Sequence, residues 1–110
     1  MARGDVLLVN LPVSDGREQS GRRPVVALQI DIAGEPMLMV APITSNLKAL
    51  RFSFSVKIAA SDGNGLDVPS VIMIFQMRSI DRGRIVKKIG KLSDDDMKRV
   101  NAEIWKMLRP

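Results

Sequence analysis

The chain has 110 residues, 45% hydrophobic and 26% charged, with a formal net charge of +5, no histidine and no cysteine. This length and composition predict one domain spanning residues 1–110 with a modest core, and they exclude a disordered or low-complexity protein. Without cysteine or histidine, disulfide frameworks, thiolate zinc sites and imidazole bases are excluded, so any chemistry must use carboxylates, hydroxyls, amides, lysine or arginine.

The first half of the chain predicts three strands and a short helical turn. Residues 5–11 are apolar and β-prone and end at a Pro/Ser/Asp/Gly turn. After a proline, residues 25–32 predict a largely buried strand, and residues 37–43 return across a Gly-Glu-Pro turn as in a hairpin. The Thr-Ser-Asn triplet that follows contains three helix-capping residue types, so it predicts a helical turn through residue 50.

The second half predicts further strands and a terminal helix. Residues 51–58 alternate apolar and polar side chains with the period of a half-exposed strand, and residues 69–75 and 84–89 have strand composition. Ser93 is a predicted N-cap, because three aspartates favoured by the helix macrodipole follow it. The predicted core stripe of this helix is Met97, Val100, Ile104 and Leu108. Short strands with one C-terminal amphipathic helix indicate a mainly-β fold, either a small barrel or a strongly bent sheet.

Positive charge is concentrated in two stretches of the chain. Residues 78–91 hold six lysines and arginines against one aspartate, and residues 17–23 hold three arginines against one glutamate. Such clusters attract phosphate backbones. A basic run is also commonly a solvated face, so charge alone leaves both interpretations open.

The expected location is the cytoplasm, and no membrane partner is expected. The longest apolar runs, such as residues 25–28 and 71–75, are far shorter than the roughly 20 residues that span a bilayer. The opening residues also lack the apolar core of a signal peptide.

Five short motifs, in order along nearly the whole chain, resemble the MazF/PemK family of type II toxin–antitoxin endoribonucleases. They are RGD at residues 3–5, EQSGRRP at 18–24, PITS at 42–45, QMRSID at 76–81 and IGKLS at 89–93. The resemblance implies an SH3-like small barrel of the CcdB/PemK type with a C-terminal helix. It also implies a homodimeric toxin that cleaves single-stranded mRNA at short sequences without a metal or other cofactor. A cognate antitoxin, whose extended tail occupies the RNA groove, is the implied protein partner.

The same resemblance implies catalytic roles for Arg23 and Thr44. A guanidinium presents paired donors that match phosphate oxygens, and Pro24 with the buried strand would hold Arg23 rigid. The Thr44 hydroxyl would donate to the same phosphate, cap a helix, or do both. Glu18 is the candidate general base, although neighbouring arginines favour its ionised form and weaken it as a base. The alternative for Glu18 is an ion pair that holds its loop.

Amide, hydroxyl and guanidinium groups from three loops are the predicted RNA-binding set. They are Arg17, Gln19, Ser45, Asn46, Gln76 and Arg78. For Gln76 and Arg78 the alternative is structural hydrogen bonding near a dimer interface.

Two departures from the family pattern leave other functions open. Some members carry an arginine and an aspartate where this chain has Met73 and Phe75, and a histidine where it has Arg17. An acid–base pair on that strand is therefore absent, and Phe75 either packs in the core or stacks on an RNA base. The chain is then expected to rely on Arg23 with Thr44, to have low activity, or to bind RNA or antitoxin without cutting. A CcdB-like gyrase-binding toxin is the remaining alternative, but the Trp-Gly-Ile motif of that group has no counterpart here.

Overall fold

A computed structural model describes residues 1–11 and 21–109. In this part of the chain there are seven β-strands, three short 3-10 helices and one α-helix. The strands are β1 (Asp5–Leu11), β2 (Gly21–Ala27), β3 (Met37–Thr44), β4 (Ser55–Ile58), β5 (Ser70–Met73), β6 (Arg78–Asp81) and β7 (Ile85–Lys91). The 3-10 helices are Leu47–Arg51, Ile74–Gln76 and Arg82–Arg84, and the α-helix, α1, is Asp94–Leu108. The predicted mainly-β fold with a C-terminal helix is confirmed.

All strand pairs are antiparallel, and the pairing order is β4-β5-β3-β2-β1-β7, with β6 added to β3. The sheet is a curled small-barrel arrangement whose ladder stays open, since no pairing joins β4 to β7 among the described residues. The same residues contain no helix with the length and apolar character needed to cross a membrane.

Strand β3 changes partner along its length, and this change creates a gap in the sheet. Its middle pairs with β2, ending at Pro42 opposite Val25, and its next residue, Ile43, pairs with Ile72 of β5 instead. The first four residues of β2 therefore pair with β1 and have no partner on β3. A cleft opens where the two strands diverge.

The central strands are buried on both faces along much of their length, which explains the continuous apolar runs in the sequence. Along β1, Val6 belongs to the cluster under α1, whereas Leu7 and Val9 belong to a second cluster on the opposite face. This alternation is the period of two that a strand imposes. Where a central strand is buried on both faces, apolar side chains occupy both of them, so the alternation of apolar and polar residues is lost.

The RGD motif at residues 3–5 has a structural role in this fold. The Gly4 N–H donates to the Ala27 carbonyl at 2.8 Å, and the Gly4 carbonyl accepts from the Leu92 N–H at 2.9 Å. Asp5 is buried and lies 3.1 Å from the Lys88 ammonium. The motif therefore ties the start of β1 to β2, β7 and the segment that leads into α1.

The second strand is shifted relative to its prediction of residues 25–32. It begins at Gly21, because the arginines after it pair with β1, with Arg23 opposite Val9. It ends at Ala27, since the Gln29 side-chain amide then takes over the bonding to β3: its Oε1 accepts from the Met39 N–H at 3.0 Å. Pairing with β1 therefore extended the start of β2, and at its end a side-chain hydrogen bond took the place of backbone pairing with β3.

The predicted strands 51–58 and 69–75 are both shorter in the structure. β4 begins only at Ser55, because residues 52–54 form a turn with Phe54 at a φ of 60°. β5 ends at Met73 and continues as a 3-10 helix. The strand β6, which was not predicted, follows it and pairs with the first half of β3.

The terminal helix begins as predicted, with the Ser93 Oγ accepting from the Asp96 N–H at 3.1 Å. Its buried stripe differs at the C-terminal end. Met107 packs against the core, whereas Leu108 is 54% exposed, so the prediction that Leu108 belongs to the core is wrong. Position 107 continues the stripe because it lies three residues beyond Ile104 on the same helix face.

Candidate active site

The cleft at the divergence of β2 and β3 brings together two predicted catalytic residues. It has a volume of about 260 Å³ and is open to solvent, with Arg23 and Pro24 on one wall and Ile43 and Thr44 on the other. The segment after β4 forms the remaining side and contributes Asp67. Two side chains suited to binding phosphate, a guanidinium and a hydroxyl, therefore line a single concave site.

Arg23 is an exposed residue whose backbone is fixed by strand pairing. It pairs with Val9 inside the β1–β2 ladder, and the residues that follow Pro24, Val25 and Val26, are fully buried. The neighbouring Arg22 does not line this cleft. The sequence thus places one arginine of the pair in the site and the other outside it.

Thr44 is half-buried at the end of β3, and its hydroxyl is anchored locally. Its Oγ1 accepts from the Asn46 N–H at 3.1 Å, which leaves its own O–H to donate elsewhere. Asn46 is the N-cap of the following 3-10 helix, its Oδ1 accepting from the Lys48 N–H at 3.1 Å. The capping role considered for Thr44 therefore belongs to Asn46.

A turn at residues 61–65 supports the third wall of the cleft and was not singled out as functional from the sequence. Its anchor is the buried Asn64, whose Nδ2 donates to the Ala59 carbonyl at 2.9 Å and whose Oδ1 accepts from the Ser61 and Leu66 N–H groups. The Gly63 carbonyl accepts from β7 through the Lys91 N–H at 2.9 Å. The Ser-Asp-Gly-Asn-Gly stretch signalled a turn, but not its position beside the cleft.

The predicted RNA-binding residues fall into three groups. Ser45 lines the Arg23 cleft, and Asn46 and Gln76 line a second cleft described below. Arg78 is half-buried on β6 opposite Val40 and lines neither cleft. The predicted base Glu18 and the predicted RNA contacts Arg17 and Gln19 lie outside the described residues.

The second cleft, of about 370 Å³, adjoins the first because Thr44 lines both. Met73, 3% exposed, and Phe75, half-buried, form part of its wall. Phe75 packs against the buried cluster of Ala49, Val71 and Met73, so it has a core role while also reaching the cleft. The structure thus supports the core-packing interpretation of Phe75, although part of this side chain also lines the cleft.

The two clefts are positively charged in the described residues. The ionisable side chains lining them are Arg23, Lys48 and Arg51 against Asp67. A concave surface with three cations and one carboxylate attracts an anionic strand and raises its rate of association. Lys48 and Arg51 were not among the residues predicted to bind RNA.

Asp31 is a carboxylate with a shifted pKa that lies outside both clefts. The pKa of Asp31 is held below its ordinary value by a hydrogen bond from the N-terminal ammonium at 3.1 Å and by Arg82 at 3.2 Å. Asp31 is exposed and lines neither cleft, so its shifted pKa does not concern the candidate site.

The sequence and fold match known proteins along nearly their whole length. Residues 2–108 match the sequence profile of the PemK-like, MazF-like toxins of type II toxin–antitoxin systems. The chain is 41% identical over 106 residues to an endoribonuclease MazF of Staphylococcus saprophyticus, which covers 94% of this chain and 88% of the relative.

Among solved structures, MazF from Deinococcus radiodurans superposes with a TM-score of 0.81 at 25% identity, covering 100% of this chain and 97% of that one. A MazE–MazF structure from the same organism gives a TM-score of 0.77 at 24% identity, with 98% and 95% covered.

The chain belongs to the family of PemK-like, MazF-like toxins of type II toxin–antitoxin systems. The family predicted from the five motifs is therefore confirmed. The motifs also predicted an endoribonuclease, which is the enzyme class named for the Staphylococcus relative.

Proposed function

We propose that this toxin is a metal-independent endoribonuclease that cleaves single-stranded mRNA at short sequences, with Arg23 and Thr44 acting on the scissile phosphate. The observation that carries the proposal is that these two side chains, from different strands, line one cleft that opens to solvent. Family membership and the 41% identity to an endoribonuclease support the same conclusion.

The reaction is an internal transfer that needs three things from the protein. The 2′-hydroxyl loses a proton and attacks the adjacent phosphorus, charge builds up on the phosphorane oxygens, and the 5′-oxygen leaves with a proton. The P–O bond to the 5′-oxygen breaks as the new bond to the 2′-oxygen forms, which yields a 2′,3′-cyclic phosphate and a 5′-hydroxyl. These atoms balance without a metal ion.

Arg23 is suited to the second requirement. A guanidinium presents paired donors that match phosphate oxygens, and the β1–β2 ladder fixes the backbone of Arg23 before the substrate arrives. The Thr44 hydroxyl, with its oxygen already engaged by Asn46, has its hydrogen free to donate to a phosphate oxygen. Together they provide preorganised donors where negative charge develops.

Proton transfer requires a base, for which Glu18 remains the proposed residue. A glutamine at this position keeps the size of the side chain and removes its basicity. If Glu18 is the base, Glu18→Gln lowers the cleavage rate and abolishes the acid limb of the pH–rate profile. If Glu18 instead forms an ion pair that holds its loop, substrate affinity changes and the profile keeps its shape.

The proposed assembly is a cytoplasmic homodimer that is neutralised by a cognate antitoxin. Toxins of type II systems act with antitoxins by definition, and the match to this family is the support for that partner. An antitoxin segment carrying carboxylates would complement the cationic clefts described above.

The test compares two adjacent arginines. Purified Arg23→Ala and Arg22→Ala are incubated with a mixed-sequence RNA in EDTA, and the RNA ends are mapped. Arg23→Ala is expected to reduce cleavage by roughly 10²–10³-fold, the range for one lost preorganised donor, while Arg22→Ala leaves cyclic-phosphate ends at a recurrent motif. Equal activity of Arg23→Ala and wild type would remove Arg23 from the mechanism.

A second function, binding RNA or antitoxin without cutting, is favoured by one observation. Met73 is buried and Phe75 packs on the core, so this wall of the cleft contains no acid–base pair. The same RNA assay separates the two functions. Retained RNA binding with no cyclic-phosphate ends from the wild type would establish this second function.

A further inference from the structure

The second cleft contains an exposed aromatic surface beside the proposed catalytic residues. The rings of Phe52 and Phe75 have their centroids 5.0 Å apart at an interplanar angle of 41°, and the Arg51 guanidinium lies 4.8 Å from the centroid of Phe52. We name these three side chains the aromatic shelf. All three line the second cleft, which adjoins the Arg23 cleft because Thr44 lines both.

The backbone around the shelf is built so that Phe52 remains at the surface. In the strand predicted for residues 51–58, Phe52 and Phe54 would share one face. The turn separates them: Phe54, at a φ of 60°, packs against the main core, whereas Phe52 stays 45% exposed. Hydrogen bonds hold this turn, from the Ser55 hydroxyl to the Phe52 carbonyl at 2.8 Å and from the Phe75 N–H to the Phe54 carbonyl at 3.2 Å.

A left-handed backbone at a bulky residue is strained, and such strain persists only where the surroundings enforce it. Exposed aromatic rings in general need no explanation. Here, however, a strained turn places the Phe52 ring beside a second ring and a guanidinium. Aromatic rings and guanidinium planes are the groups on which proteins stack unpaired bases.

The charges around the shelf select an anionic ligand. Lys48 and Arg51 lie in the last turn of the 3-10 helix that borders the cleft, and no described carboxylate lines this cleft. The side-chain amides of Asn46 and Gln76 add polar groups at the wall. The volume of about 370 Å³ is within the range of about 300–1,000 Å³ for ligand pockets.

We propose that the aromatic shelf binds an unpaired RNA base in the nucleotide that flanks the scissile phosphate. This inference rests on the proposed ribonuclease function, because the shelf adjoins the Arg23 cleft through Thr44. The base stacks on the rings and on the guanidinium plane, while Lys48 neutralises the neighbouring phosphate. Stacking tolerates every base, so the shelf supplies affinity and register while amides at the wall discriminate between bases.

Binding can be measured apart from cleavage by using oligonucleotides that lack the attacking group. The probes are a single-stranded 2′-deoxy oligonucleotide and a strand of the same length that is abasic throughout. Wild type is expected to bind the strand with bases more tightly, and the ratio of the two affinities reports base stacking. Neither probe can undergo 2′-hydroxyl attack.

Phe52→Leu keeps an apolar side chain and removes the ring. It is expected to reduce the ratio of affinities roughly tenfold, within the range measured for one stacked base. Phe52→Trp, which keeps a ring, should preserve the ratio, and Arg51→Lys, which keeps the charge but loses the plane, should lower it. Ile32→Ala is the control, since Ile32 is 47% exposed and lies outside both clefts.

The outcomes separate the shelf from the nuclease activity. If Phe52→Leu leaves the ratio of affinities unchanged, or lowers the affinity for both strands equally, the shelf is overturned. The nuclease proposal is unaffected by that result. A reduced ratio supports the shelf, and if wild type then fails to cleave the ribonucleotide version, the nuclease proposal alone is overturned. A wild type that binds neither strand overturns the shelf, and cleavage of the ribonucleotide version then decides the nuclease proposal by itself.

Discussion

Replacing Gly90 by alanine tests how closely the cleft wall packs on β7. A Cβ at position 90 would lie 2.3 Å from the Asn64 carbonyl carbon, 2.5 Å from its oxygen and 2.6 Å from the Gly63 carbonyl oxygen. All three atoms belong to the backbone, so no side-chain rotation relieves the contact. The turn at residues 61–65 must move away from β7, and the bond from the Lys91 N–H to the Gly63 carbonyl is lost with that movement.

The expected cost combines two effects. Overpacking a tight site costs about 1–3 kcal/mol, and one lost backbone hydrogen bond costs about 0.5–1.5 kcal/mol. Gly90→Ala should therefore lower the free energy of unfolding by about 1.5–4.5 kcal/mol. At about 4 °C per kcal/mol for a chain of this size, that loss lowers Tm by about 6–18 °C.

The assay is urea unfolding, with Gly63→Ala as the matched control. Gly63 lies in the same turn, its φ is outside the left-handed region, and its added Cβ would meet nothing closer than the Ser61 Oγ at 3.8 Å. This control should remain within about 0.5 kcal/mol of wild type. If Gly90→Ala also remained within that margin, the close approach of turn and strand would be refuted.

Three further predictions concern the cap, the hydroxyl and the N-terminal ion pair. Asn46→Ala should lower the free energy of unfolding by about 1 kcal/mol in urea titration, because the Lys48 N–H loses its capping oxygen; no loss would contradict the cap. Thr44→Val should slow RNA cleavage roughly tenfold, the value of one hydrogen bond, while Thr44→Ser retains activity; equal rates for both would exclude the hydroxyl. The lowered pKa of Asp31 means that its contribution to stability is present above the ordinary aspartate range and is lost as pH falls through the lowered value. In urea titration at neutral pH and low salt, wild type should thus have a slightly higher unfolding midpoint than Asp31→Asn, and the two midpoints should coincide in acid. A difference in midpoint that persists in acid would contradict the ion pair.

Local patterns in the sequence were sufficient for the elements that depend on near neighbours. β1 has its predicted bounds, and α1 begins after Ser93, because alternation, capping and charge in the first turn act over two to four residues. The five motifs identified the family, since their order along the chain does not depend on how it folds. The pair Arg23 and Thr44 came from that resemblance, and spacing alone would not have connected them.

The tertiary structure determined which strands pair with each other and where that pairing changes. The exchange of β2 for β5 after Pro42 opens the cleft, and it depends on residues about thirty positions further along the chain, which no local pattern encodes. The same applies to the turn that places Phe52 at the surface: its alternation favoured a strand, but backbone bonding between Phe75 and Phe54 enforced a left-handed residue instead. Propensity describes a residue and its neighbours, whereas the site consists of surfaces that meet only when distant strands have paired.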